Sequence, residues 1–269
     1  VAKRGEGADF VEALARGLDV IECLGSAARA MSLSEIATAS DLARPTARRL
    51  LLTLAELGFV RVTGGSYDLT PKVLRLGMAY VGSTGLWDVA RPHMEDLVRT
   101  TGESTSMTQL DGSDIVYVAR VAVPKIIAIR VEIGTRFPAV VTSQGKVLLA
   151  ALDADALDTT LRIPSRAPGV AVPSVDVDRV RGQLATIREQ GWALADEELA
   201  PGVRSVAVPV RDASGRTVSA MNVTVNAAET SVETLTQVYL PALVRTAAEV
   251  SADWALLQGR PQSEVSAVR

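Results

Sequence analysis

Cysteine and histidine are almost missing. The 269 residues hold one of each, Cys23 and His93. One cysteine excludes an intramolecular disulfide and a cysteine-based zinc site. One histidine excludes any two-histidine metal motif, and a Ser-His-Asp triad would have to use His93. That residue sits in RPHMEDL (91–97), which reads as the opening of an amphipathic helix, so a surface or interface position is the plainer assignment. Cys23 falls in an apolar helical pattern and reads as a small filler. Aromatic residues make up only 4%, so cores must be built from Leu, Val, Ile and Ala. No GxGxxG fingerprint occurs, and Gly145-Lys146 fails as a phosphate loop because Val140 stands where its first glycine belongs. No apolar run is long enough to span a bilayer. Val1 to Phe10 are polar and charged, unlike a signal peptide, which points to the cytoplasm. These absences leave an expectation of no catalytic residues, no metal and no cofactor.

What is present is an ordinary globular composition, with 48% hydrophobic and 22% charged residues. The net charge is −3, yet residues 42–75 carry Arg44, Arg48, Arg49, Arg61, Lys72 and Arg75 against only Glu56 and Asp68. A local basic patch on an acidic chain suits electrostatic docking through one module.

Apolar residues at Phe10, Leu14, Leu18, Ile21 and Leu24 predict a first helix with one inward stripe. Ser32 and Glu35 form a capping box that starts a short second helix. Ser40-Asp41-Leu42 breaks the pattern, with Asp41 in the turn position that favours a left-handed backbone. A third helix with Pro45 in its first turn runs to about Leu57, with Ala47, Leu50, Leu51, Leu54 and Leu57 inward, and Gly58 ends it. Residues 59–69 read as a glycine-tipped hairpin. Pro71 opens another helix through Tyr80, and a Gly/Ser/Thr stretch at 82–85 marks a boundary before a helix over 86–101.

Beyond Glu103 the rhythm changes. Strands are expected at 106–110, 115–121, 126–131, 205–211 and 218–225, and helices at 143–152, 177–190 and 232–257. Strands and helices without regular βαβ repetition favour an α+β domain. Polar residues from Arg260 onward read as a frayed tail. The expected organisation is an arm at 1–9, a winged helix-turn-helix at 10–80, a linker helix at 81–101, an effector domain at 102–257 and a tail at 258–269.

The outward side of the third helix shows Arg44, Pro45, Thr46, Arg48, Arg49 and Thr53. Arginines pair bidentately with guanine or grip phosphate, and Thr46 is placed for a phosphate or base edge. The hairpin, with Arg61, is a wing for the backbone or minor groove. A solvated helix face is the bland reading of Arg48-Arg49. The complete helix-turn-helix-wing order favours double-stranded DNA.

The segments LSEIA (33–37), RPTARRLLLTL (44–54) and ELGFV (56–60) resemble the DNA-binding domain of the IclR family of transcription regulators. The segments at 134–150 and 191–212 and the strand from Asn222 to Val225 resemble its effector domain, and the likeness spans about residues 10–257. DFVEALARGL (9–18) and FPAVVTSQGK (137–146) look closest to the protocatechuate, β-ketoadipate and hydroxybenzoate regulators. The resemblance implies a GAF-like effector domain with a six-stranded antiparallel sheet. It also implies dimers through the N-terminal region, often paired into tetramers, on palindromic operators. By motif position it places Ile129, Ser143, Gln144, Ser205, Asn222 and Thr224 at an effector pocket. Some members carry an acidic residue where Ala195 stands and a cysteine where Ser205 stands.

Neutral hydrogen-bonders in an apolar setting suit a small organic acid, and the N-terminal amides of the 143–152 helix favour an anion. The same residues also suit structural roles, Ser143 as a helix cap and Asn222 and Thr224 as strand residues. Glu197 and Glu198 read as a solvated charge run rather than a catalytic pair. An enzyme on a GAF-like domain, with the winged helix serving protein contact, is the alternative. A winged-helix dimerisation scaffold without ligand is a third reading.

Overall fold

The computed structural model of the protein describes residues 9–27, 29–77, 85–124, 131–170 and 176–258. It divides into two units, Val1–Ser83 and Thr84–Arg269. The expected helix end at Tyr80, the boundary stretch at 82–84, the strand residues 126–130 and the tail from Arg260 lie outside the described residues.

The first unit is built from α1 (Glu12–Ala27), α2 (Leu33–Ala39) and α3 (Arg44–Glu56), with β1 (Met31–Ser32), β2 (Val60–Thr63) and β3 (Ser66–Leu69) in the order β1-β3-β2. The capping box is present: Ser32 accepts from the Glu35 amide at 3.3 Å, and Glu35 accepts from the Ser32 amide at 2.8 Å. Asp41 takes a left-handed φ of 51°, and the Leu42 amide reaches back to the Ala37 carbonyl at 2.8 Å, closing the turn. After α3, Gly58 at φ 79° lets the Gly58 and Phe59 amides bond the Ala55 and Leu54 carbonyls, a Schellman stop. Gly64 and Gly65, both at positive φ, make the two-residue hairpin turn. Val20, Leu24, Ile36, Leu51 and Leu54 form the core.

Two expectations about this core need correction. Phe10, Leu14 and Leu18 are 40%, 64% and 49% exposed, whereas Val20 and Leu24 are buried. At 3.6 residues per turn the two rows lie about 100° apart around α1, so only one of them meets the unit's own core. Leu57 is also exposed, because the helix stops at Glu56 and the chain turns away at Gly58.

The second unit opens with α4 (Leu86–Thr101), which runs as expected. His93 lies in the middle of α4 rather than at its opening, with its ring nitrogens facing Asp253 and Glu249. An antiparallel sheet of order β6-β5-β4-β9-β8-β7 follows. Its strands are β4 (Ser104–Asp111), β5 (Asp114–Val121), β6 (Arg136–Pro138), β7 (Ala193–Asp196), β8 (Val203–Arg211) and β9 (Thr217–Asn226). One face carries Met107, Val206, Met221 and Val223 against α4 and α8 (Leu240–Gln258), the latter entered through a π-helical segment, Leu235–Tyr239. The other face carries Ile115, Tyr117, Ala207 and Ala220 against α5 (Ser143–Ala150), α6 (Ala154–Arg162) and α7 (Val177–Gln190). The α+β class holds. The short strands β6 and β7 and the helix α6 carry no pattern strong enough to read in advance, and β7 is half alanine, a weak strand former.

Two outcomes follow. Alanine lacks the local hydrogen bonding that lets Asp tolerate a left-handed backbone, so Asp41→Ala is expected to lower the stability of the α2–α3 turn by about 1 kcal/mol, while Asp41→Gly should raise it. Amide exchange across residues 33–56 of the full chain measures both. The Glu35 carboxyl is held down at about 2, first by the Ser32 amide, then by Arg29. Its depressed pKa means the stabilisation is present above the ordinary carboxyl value and is lost as pH falls through about 2. Protection of α2 should therefore drop over that acid window in the native chain and stay flat in Glu35→Gln.

Candidate functional sites

The first site is the outer face of α3. Its register places Ala47, Leu51 and Leu54 on the core side. Arg44, Pro45, Arg48, Arg49 and Thr53 stand on the exposed side, with Thr46 half-buried at the edge. Neither Arg44, Arg48 nor Arg49 engages a carboxylate among the described residues. Three uncompensated guanidinium groups on one face of a helix make a strongly cationic surface. Thr53 is less available, because its hydroxyl donates to the Arg49 carbonyl at 3.0 Å. On the wing, Arg61 pairs with Asp68 at 3.0 Å across β2 and β3. Both partners are exposed, and such a pair is weak enough for a phosphate to displace the aspartate.

The second site lies between α5 and the sheet. Its position depends on a close approach. A Cβ added to Gly145 would stand 2.2 Å from the Ala139 carbonyl oxygen and 2.3 Å from the Ala139 Cα. Only glycine lets α5 settle onto the short 3-10 turn Ala139–Val141. The N-cap of α5 is Thr142, which accepts from the Gly145 amide at 3.1 Å; the cap is not Ser143. Ser143 instead shares a 2.7 Å hydrogen bond with Ser205 on β8. Gln144 donates to the Ser106 carbonyl at 3.2 Å. Asn222 accepts from the Ser106 amide at 3.1 Å and donates to Thr224 at 2.8 Å.

These bonds gather four of the six residues expected at the effector site. Gln144, Ser205, Asn222 and Thr224 line a narrow pocket together with Tyr117, Arg120, Ala195, Leu199 and Val203. Ser143 sits behind that wall, and Ile129 lies outside the described residues. Ala195 lines the pocket and makes that part of its wall apolar.

Sequence reading missed Tyr117 and Arg120. They are three residues apart on β5, and strict alternation would send them to opposite faces. A β-bulge removes that constraint. Thr108 pairs with Tyr117, but Met107 pairs with Ala119, so Val118 is the extra residue. Ser106 then pairs with Arg120 on the same face as Thr108 and Tyr117. Arg120 donates to the Ser106 hydroxyl at 3.0 Å. Burial pushes the Arg120 guanidinium below its ordinary value. Burial raises the Tyr117 hydroxyl to about 12, which keeps it neutral.

Glu197 and Glu198 are both exposed, as a solvated run requires, and each also holds a structural partner. Glu198 pairs with Lys146, whose side chain is only 7% exposed and whose amine also reaches the Leu194 carbonyl at 3.2 Å. Glu197 adopts φ 56° and accepts from the Gly202 amide at 2.8 Å. The β7–β8 connection, which supplies Leu199 to the pocket, is thereby pinned to α5 at one point and to itself at another.

Two family profiles match the chain. The one described as the IclR helix-turn-helix domain covers residues 13–64. The one described as the bacterial transcriptional regulator IclR C-terminal region covers residues 78–252. The Pca regulon regulatory protein of Pseudomonas putida is 39% identical over 241 residues, covering 88% of this chain and 81% of that protein. The p-hydroxybenzoate hydroxylase transcriptional activator of Acinetobacter baylyi is 30% identical over 247 residues, covering 90% and 91%. A crystal structure of a Rhodococcus sp. RHA1 protein described as a transcriptional regulator superposes with a TM-score of 0.79 at 44% identity, covering 92% of this chain and 100% of that one.

The Gly145 contact sets an expected outcome. Gly145→Ala must push α5 off the Ala139 backbone, an overpacking cost of about 1–3 kcal/mol. Urea unfolding of the full chain followed by tryptophan fluorescence reads it, because Trp87, Trp192 and Trp254 all lie in the second unit.

Proposed function

Because the chain belongs to the IclR family of bacterial transcription regulators, we propose that it binds a palindromic operator through α3 and answers to an aromatic acid held in the α5 pocket. The exposed arginines of α3, which engage no carboxylate among the described residues, carry the first half of this reading. Arg44, Arg48, Arg49, Thr46 and Pro45 meet the major groove, Thr53 stands at the edge of the contact, and Arg61 follows on the wing. The DNA-binding domain spans 10–80, the linker helix 81–101 and the effector domain 102–257.

The aromatic-acid half rests on the names of the relatives, one a Pca regulon regulator and one a p-hydroxybenzoate hydroxylase activator. It also rests on a pocket of hydroxyl and amide groups set in Leu199, Val203 and Ala195. The protein acts by binding and not by turnover. Its place of action is the cytoplasm, where the operator is.

A palindrome calls for a dimer. The exposed apolar row of Leu14 and Leu18 on α1, with Phe10 just before it, supplies a self-complementary face for one, with tetramers formed by pairing dimers. Two recognition helices then address half-sites about one helical turn, ~34–36 Å, apart. An effector that favours one arrangement of the dimer shifts the population toward it and alters operator affinity.

Fluorescence anisotropy on a palindromic fragment from DNA adjoining the protein's own gene tests this reading. Arg48→Ala and Arg49→Ala should each weaken binding by roughly 10-fold or more, and each lost phosphate contact should reduce the salt slope by about 1. Binding that is equal in the native chain and in the double variant at low salt would sink the assignment of α3.

A further inference from the structure

Arg120 stands out among the arginines withdrawn from water. Arg136 and Arg204 are also half-buried, and each holds a carboxylate: Asp111 at 2.6 Å for Arg136 and Asp196 at 2.6 Å for Arg204. Among the described residues Arg120 bonds a neutral hydroxyl, that of Ser106, through Nη1 alone. No carboxylate engages Arg120 among the described residues, and none lines the pocket it faces. A cation half-removed from water without an anion is costly to maintain. The fold nevertheless goes out of its way to keep it there, because only the bulge at Val118 turns the side chain to this face.

The remaining polar groups of the pocket are neutral, and several are already spent. Asn222 is tied to Ser106 and Thr224, Gln144 to Ser106, and Ser205 to Ser143. They shape the wall and leave charge recognition to another group.

Resting on the effector-pocket reading above, we infer that Arg120 is the specificity-determining residue that takes the effector's carboxylate, so that the pocket selects acids over neutral molecules of the same shape. The planar guanidinium offers its Nε and Nη2 edge, which has no partner among the described residues, for a two-point bond to a carboxylate. Tyr117, a neutral phenol on the same face, stands as an adjacent donor. The ring of the effector lies away from Arg120, toward Leu199 and Val203. Ala195 fits this assignment, since an aspartate or glutamate there would compete for the guanidinium.

The test is isothermal titration calorimetry on the full chain. The acids are 4-hydroxybenzoate, protocatechuate and benzoate; the neutral probe is 4-hydroxybenzamide. In the native protein 4-hydroxybenzoate should bind at least about 10-fold more tightly than the amide. Arg120→Gln should weaken acid binding by about 10- to 100-fold, the range of a charged hydrogen-bonded pair. The same variant should leave amide binding within about 3-fold, a margin well below one charged hydrogen bond. Arg120→Lys, which keeps the charge and loses the fork, should fall between.

If the native chain binds an acid and Arg120→Gln binds it equally well, the inference is overturned while the effector reading stands. Native binding of acid and amide with equal affinity overturns it in the same way, without any variant. If none of the acids binds the native chain, the aromatic-acid reading fails and Arg120 fails with it. Circular dichroism of each variant confirms its fold, and the acid–amide comparison on the native protein decides the matter if Arg120→Gln does not fold.

Discussion

The backbone contact between Gly145 and Ala139 governs the second unit. With no side chain between them, α5 settles against the 3-10 turn and three of its first four residues find partners: Ser143 on β8, Gln144 on β4, and Lys146 on the β7–β8 connection. Each bond crosses to a different part of the sheet. One helix of eight residues therefore sets the back wall of the pocket and anchors its rim at the same time. All eight of its residues are buried, which explains why the helix shows little amphipathic character in the sequence.

The first unit was legible because its signals are local. The Ser32–Glu35 box, Asp41 in the turn, Pro45 in the first turn of α3 and Gly58 at its end each act within a few residues, and each is found where the pattern put it. The apolar row of α1 misled for a different reason. Helical periodicity reports that a face avoids water, and it does not say whether the same chain covers that face. In the second unit, resemblance located Gln144, Ser205, Asn222 and Thr224 at one pocket wall. Arg120 and Tyr117 stayed hidden because the pairing of β4 with β5 decides their orientation. A register shift between two strands leaves no mark in either one alone.

Charge is distributed with a division of labour. Exposed pairs such as Arg16–Glu12 and Arg91–Glu95 add little to stability. Lys146–Glu198 is different, because the lysine is enclosed and also bonds a strand carbonyl, so removing either partner would strand a charge. The arginines of α3 engage no carboxylate among the described residues, on a chain whose net charge is −3. Acidic surroundings discourage the loose association with polyanions that a uniformly basic protein would show.

The extra residue at Val118 has an evolutionary side. Ligand preference in such a receptor is usually imagined to drift by exchanging one pocket residue for another. Here the pairing of two strands matters as much as their letters. Losing Val118 would leave Tyr117 and Arg120 two positions apart, and regular pairing with Thr108 and Ser106 would keep both on the cavity face. A slip of the full-length strand by one residue would do the opposite: the guanidinium and the alanine beside it would trade places between the cavity and the aliphatic layer. What lines the cavity can thus change through strand register with every cavity residue left as it is.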